Sequence, residues 1–183
     1  MPVLKILTVP NPILKKKSKK VGKINSEIKK LAKDLKETIR NFGDKHEKGA
    51  ALSACQVGEL KRLFVFRNQD GKLSTLVNPD ILKLSKKQVV DMEGCLSIPK
   101  IYGAVSRAAK AKVKGLNLRG EKVEISAEGM ISRILQHEID HLNGIIFTER
   151  VDDLSKIYRL TKEGKLVREG MVSGSDKDSV IKI

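Results

Sequence analysis

The sequence predicts an α+β fold in which antiparallel sheets surround a central helix, with an amphipathic helix ahead of them. Three observations lead there: a helical apolar stripe near the N-terminus, a succession of short strand-like runs through the middle, and a second helix that carries two histidines one turn apart.

The elements follow in order. After the proline-punctuated start (Pro2, Pro10, Pro12), Asn25 or Ser26 can cap a helix whose apolar residues recur at Ile28, Leu31, Leu35, Ile39 and Phe42, with Gly43 placed to end it. Asp44 to Lys48 reads as a polar surface loop, and its His46-Glu47 pair lacks a second histidine at helical spacing. Strand-like runs come next at Leu63 to Arg67, Leu73 to Asn78, Ile81 to Leu84 and Gln88 to Met92. Ala109, Ala111 and Val113 alternate cleanly, and Gly115 then shifts the phase to Leu116 and Leu118, which suggests a bulge. Arg119-Gly120 turns the chain into Lys122 to Ser126, and Ser126 is a candidate cap for the helix that closes at Asn143-Gly144. Beyond Arg150, Leu154, Ile157, Tyr158 and Leu160 have short helical potential.

A chain of 183 residues suits one domain, expected over residues 1–170, and the Gly/Ser-rich stretch 171–183 reads as a loosely ordered tail. No window approaches the ~18 apolar residues of a membrane span, and the opening MPVLKILTVPNP lacks the apolar core of a signal peptide. The expectation is a cytoplasmic protein with no membrane partner, in which Cys55 and Cys95 remain reduced. The net charge of +15 suggests a polyanionic neighbour such as the ribosome, and residues 1–36 supply +9 of it, with 11 Lys against Glu27 and Asp34. The competing reading of the run Lys15-Lys16-Lys17-Ser18-Lys19-Lys20 is a solvated face. With no Trp, two Tyr and four Phe there is little to stack on bases, so sequence-specific nucleic-acid binding is not expected.

The decisive segment is Gln136-His137-Glu138-Ile139-Asp140-His141, an HExxH signature. Residues four apart on a helix differ by only about 40° in direction, so both imidazoles can grip one metal ion while Glu138 stands close enough to exchange protons with water there. With 3 His in 183 residues, chance supplies roughly 0.003 such matches. Catalytic metal sites usually keep three protein ligands and one open position. Of the few candidates for the third, Cys95 is the most persuasive, because it sits in Glu93-Gly94-Cys95-Leu96-Ser97 beside a glycine and a strand end. One thiolate with two imidazoles favours zinc on donor chemistry alone.

EGCLS at Glu93 to Ser97 and LQHEIDHLNG at Leu135 to Gly144 resemble the second and third signature motifs of peptide deformylases, and GAALSACQVG at Gly49 to Gly58 resembles the first, approximately GxGLAAxQVG. The likeness covers about residues 4–150. It departs at Ala51, which replaces a glycine, and at Ser53, which replaces an alanine; a methyl at position 51 would narrow the cleft or meet a glycine-type backbone angle.

The resemblance implies an enzyme that hydrolyses the N-formyl group of N-formylmethionyl nascent chains and releases formate. Cys95, His137 and His141 would hold one metal ion, Fe(II) in the cell, replaceable by Zn(II), Ni(II) or Co(II). Glu138 would carry the proton from water to the leaving amine, and the Gln56 amide and Leu96 backbone N–H would face the developing oxyanion. Glu93 would pair with Arg107 beneath the cysteine. The methionine would enter a pocket of Leu52, Met130 and Ile134 with Tyr102 at its mouth, and the backbone of Gly49, Ala50 and Ala51, with Glu93 and Gly94, would meet the peptide. Arg133, one turn before His137, is expected on an exposed rim. Two other classes compete: a zinc peptidase sharing HExxH, and a basic ribosome- or RNA-binding protein with a vestigial site.

Overall fold

The computed structural model describes residues 3–42, 49–161 and 165–168. Gly43, the His46-Glu47 loop and the tail beyond residue 170 lie outside them.

Helix α1 spans Ser26–Arg40, and the Asn25 side chain accepts the Ile28 N–H at 3.1 Å. Ile28, Ala32, Leu35 and Ile39 bury one face, whereas Phe42 lies past the helix end and reaches the cleft described below. The strands are β1 (Ala51–Ser53), β2 (Leu63–Arg67), β3 (Leu73–Leu84), β4 (Gln88–Cys95), β5 (Ile98–Ala108), β6 (Lys110–Leu116) and β7 (Lys122–Glu128), then β8 (Ile157–Leu160) and β9 (Leu166–Arg168) after helix α2 (Gly129–Leu142). They form two sheets in the orders β1-β2-β3-β6-β7 and β4-β5-β8-β9, with antiparallel pairing throughout.

The unbroken apolar run of β2 follows from its position. Leu63 and Val65 pack under α1, and the alternate Phe64 and Phe66 pack under α2. A strand covered on both faces has no polar side to present.

Helix α2 is held differently on its two sides. Leu135, Ile139 and Leu142 are buried against the five-stranded sheet; a truncation such as Leu135→Ala would cost about 2–5 kcal/mol. Toward the other sheet the contacts are polar. Ser132 Oγ and Gln136 Nε2 donate to the Ala108 carbonyl at 2.9 and 3.0 Å, and the Ala108 N–H donates back to Gln136 Oε1 at 3.1 Å. The helix therefore sits between the sheets in a fixed rotation about its own axis. The second sheet packs Ile98, Ile101, Val105 and Ile157 around Ile146, Phe147 and Val151.

Several expectations are corrected. Ser126 does not cap α2: it lies in β7 opposite Lys112, and the chain turns into the helix at Gly129, whose φ of +59° suits a residue without a Cβ. The runs at Leu73 and Ile81 are one strand. Its register against β6 slips between Val77 and Asp80 and again between Ile81 and Lys83, so the extra residues belong to β3, while the β6–β7 ladder is continuous through Gly115. Gly115 is small because a Cβ there would meet Leu76 Cδ1 at 2.6 Å. After Arg150 the helical potential yields only a short 3-10 turn at Leu154–Lys156; Ile157–Leu160 is a strand paired to β5, with Ile157 buried in the second core. Among the described residues, no helix is long and apolar enough to cross a membrane.

Candidate metal centre and active site

Two elements bring the donors together. His137 and His141 project from one side of α2, and Cys95 ends β4, where the register slips between Gly94 and Cys95 and swings the cysteine off the ladder toward the helix. Ligand atoms of Cys95, His137 and His141 all lie within 4.8 Å of one another, with the Cys95 sulfur 3.1 Å from His141 Nε2. Burial alone would raise the thiol's pKa, but the facing imidazoles, His141 foremost, hold it well below the usual thiol range. A thiol shifted toward its ionised form beside two imidazoles fits a divalent transition metal. Cys55, by contrast, is buried, donates toward the His141 carbonyl at 3.4 Å, and has its pKa pushed up to about 12 by burial and then by Glu138.

Beneath the metal ligands runs a buried ionic network. Glu93 accepts both arms of the Arg107 guanidinium, at 2.9 and 3.0 Å, accepts Arg133 at 2.8 Å, and meets His137 Nδ1 at 2.9 Å. Arg107 also donates to Asp140, whose two carboxylate oxygens accept Nε and Nη2 of Arg150 at 3.0 and 2.6 Å. Burial works against ionising Glu93, yet His137 and Arg107 bring its pKa down to about 2. Arg133, expected on an exposed rim, is buried and also donates to the Val105 and Val89 carbonyls at 2.9 and 2.7 Å, tying α2 to β5 and β4. Asp140 and Arg150 carried no visible role in the sequence: the acid hides inside HExxH, and its partner follows ten residues later on a separate turn.

The third cluster surrounds Glu138, whose carboxylate is buried and raised in pKa by that burial, partly offset by His141 and His137. Ser53 Oγ donates to Glu138 Oε2 at 2.6 Å. The Ser53 backbone N–H donates to Gln56 Oε1 at 2.8 Å, which turns the Gln56 amide nitrogen toward Ser97 Oγ at 3.1 Å and the Cys95 sulfur at 3.5 Å. Ser97 was not singled out in the sequence although it lies in EGCLS; its N–H also points to the Cys95 sulfur at 3.4 Å.

A cleft of about 310 Å³ opens onto these groups, between β1 and β4, each the edge strand of its sheet. Gly49, Ala50 and Ala51 form one wall, Glu93, Gly94 and Leu96 the other, and Tyr102, Met130 and Ile134 complete it. Gly94 is required by its cross-strand neighbour, since a Cβ there would lie 2.6 Å from the Tyr102 ring. Leu52 is not in the wall. It is buried on the opposite face of β1, in the cluster with Leu35 and Ile39, because successive strand residues point to opposite sides. Ala51 pairs regularly with Phe66 and does not have a positive φ, so its methyl meets no glycine-type angle.

Residues 3–157 match the family model described as polypeptide deformylase. The chain belongs to the polypeptide deformylase family. A peptide deformylase from Carboxydothermus hydrogenoformans is 42% identical over 154 residues, covering 84% of this chain and 97% of that one. The crystal structure of the deformylase from Thermotoga maritima superposes with a TM-score of 0.77 at 36% identity, over 84% of this chain and 100% of that one. A Met-Ala-Ser-bound deformylase from Acinetobacter baumannii gives a TM-score of 0.73 at 35% identity, over 82% and 99% of the two chains. As a deformylase the chain is a metal-dependent hydrolase, with its metal-binding triad in Cys95, His137 and His141.

Proposed function

We propose that this deformylase removes the formyl group from the N-terminal formylmethionine of newly made polypeptides in the cytoplasm, releasing formate and a free amino terminus. The observation that carries the reading is the Cys95/His137/His141 donor set with Glu138 beside it, in a chain of this family.

Cys95, His137 and His141 would hold the ion, which when bound supplies Lewis-acid polarisation and an acidified water. Glu138 takes the proton of the attacking water and gives it to the leaving amide nitrogen as the formyl C–N bond breaks. Burial raises the pKa of this carboxylate, and a carboxylate that binds a proton more tightly than usual suits a group that takes one and hands it on. Charge developing on the formyl oxygen is met by the Leu96 N–H and by Gln56 Nε2, whose contact with the Cys95 sulfur is long at 3.5 Å and can be given up. The methionine thioether enters among Met130, Ile134 and Tyr102, and the peptide backbone runs between the edge strands β1 and β4 as an added strand.

The ion in the cell would be Fe(II), as the family resemblance implies, with Zn(II), Ni(II) or Co(II) as substitutes that the same donors accept. The basic N-terminal region would hold the enzyme at the ribosome. Lys15, Lys16, Lys17, Lys19 and Lys20 are all exposed, and Ser18 within this run donates its N–H to the Leu142 carbonyl at 2.9 Å, fastening the run to the end of α2.

Assay of formate release from a formyl-Met-Ala-Ser peptide, beside internal cleavage of an unformylated peptide, tests the reading. Metal-dependent formate release without internal cleavage is expected. Internal cleavage alone would make the chain a peptidase, and no turnover would leave the basic surface as its function.

A further inference from the structure

Position 53 is one of the two places where the first motif leaves the family pattern, and its side chain reaches across to the helix that carries the general base. Ser53 ends β1 and is fully buried, as is nearly all of Glu138. Its hydroxyl proton is directed at Glu138 Oε2, 2.6 Å away, whereas the Glu138 carbonyl is more distant at 3.3 Å. A hydroxyl has a single proton to give, and the shorter contact to the carboxylate takes it. Among the described hydrogen bonds, this is the one the Glu138 carboxylate receives from a side chain. It grips one oxygen and leaves Oε1 without a described side-chain donor, in a residue that helps to line the cleft.

Resting on the deformylase reading, we propose that Ser53 is a positioning residue for the reaction: its hydroxyl locks the rotamer of Glu138 so that the second carboxylate oxygen is presented to the attacking water. The backbone of the same residue orients Gln56 through the 2.8 Å bond to Oε1. One residue thus sets the base with its side chain and the oxyanion donor with its peptide. These two roles separate cleanly, because an alanine keeps the N–H and loses only the hydroxyl. The arrangement also explains why a serine is tolerated at a fully buried position: its hydroxyl is satisfied by the Glu138 carboxylate.

The test is Ser53→Ala in the metal-loaded enzyme, with two readouts. A carboxylate held by one short hydrogen bond gives a displaced antisymmetric stretch, and the infrared difference between wild type and Glu138→Gln isolates that band. In Ser53→Ala the band is expected to move toward the position of a carboxylate without a donor. The expected kinetics are kcat lower by about ten- to a hundredfold, the scale of a misplaced reacting group, with KM unchanged because the cleft walls are untouched. An unshifted Glu138 band, an unchanged kcat, or a loss confined to KM would each overturn the proposal. A wild type that releases no formate would overturn the deformylase reading instead, and the infrared shift would still decide the Ser53 contact.

Discussion

Glu93 Oε2 lies 2.9 Å from Nδ1 of His137, and that single contact settles which nitrogen of the imidazole can bind metal. Glu93 is ionised far into acid and is gripped by Arg107 and Arg133, so it only accepts. Nδ1 must then carry the hydrogen, and Nε2 is left facing Cys95 and the open site. His141 is oriented by other means: its Nδ1 is buried and meets no hydrogen-bond partner among the described residues, and its Nε2 faces the Cys95 sulfur.

The Glu93 contact makes stability depend on pH in a defined direction. The folded pKa of about 2 lies below the ordinary value of 4.5, so the contribution is complete above about 4.5 and is lost as pH falls from there toward 2, on the order of 3 kcal/mol in all. Urea unfolding of the metal-free protein at pH 7, 4 and 3 should show that loss. Glu93→Gln should be less stable than wild type at pH 7, because it leaves Arg133 buried without a countercharge and Arg107 with only Asp140, which Arg150 shares, and the gap should narrow in acid. An equal gap at all three values would place the stabilisation elsewhere.

Metal content distinguishes ligands from bystanders. Cys95→Ser, His137→Ala and His141→Ala should each purify with far less metal than wild type, whereas Cys55→Ser should keep it, since that thiol points at a backbone carbonyl. In the metal-free protein His137 is disfavoured as a cation by burial but held up to about 10 by Cys95 and Glu93. Binding at pH 7.5 must therefore displace a proton, and affinity should fall as pH is lowered. Calorimetry in buffers of different ionisation enthalpy measures that release, and identical heats in every buffer would show none.

Glu138→Gln should retain the fold and the metal while losing at least the ~10²-fold typical of acid/base residues. Single-turnover formate release with measured metal occupancy checks this, and near-normal rates would remove Glu138 from the proton path.

Replacing Lys15, Lys16, Lys17, Lys19 and Lys20 together by Gln should weaken co-sedimentation with ribosomes and abolish its salt dependence, while turnover of a short formylated peptide is unchanged. One of the five, Lys15, is also paired to Glu149 at 2.8 Å, but both partners are exposed and the pair adds little to stability. Undiminished, salt-sensitive association would assign the contact to other residues.

The sequence by itself determined the two helices, most of the strands and the metal donors. Those features are carried by local rules: a 3.6-residue stripe in α1, an apolar run in β2, and i, i+4 spacing of His137 and His141. It also singled out position 53 as a departure, but not what the serine touches. Only the tertiary structure decided the contacts made across elements. Ser53 and Glu138 are 85 residues apart, Arg133 and Glu93 are 40 apart, and no periodicity links such pairs. The errors have the same origin. Leu52 was assigned to the cleft by motif position, although strand alternation sends it to the α1 core. Arg133 was placed outside because a lone guanidinium is costly to bury, and the structure buries it because Glu93 and two carbonyls are already waiting there.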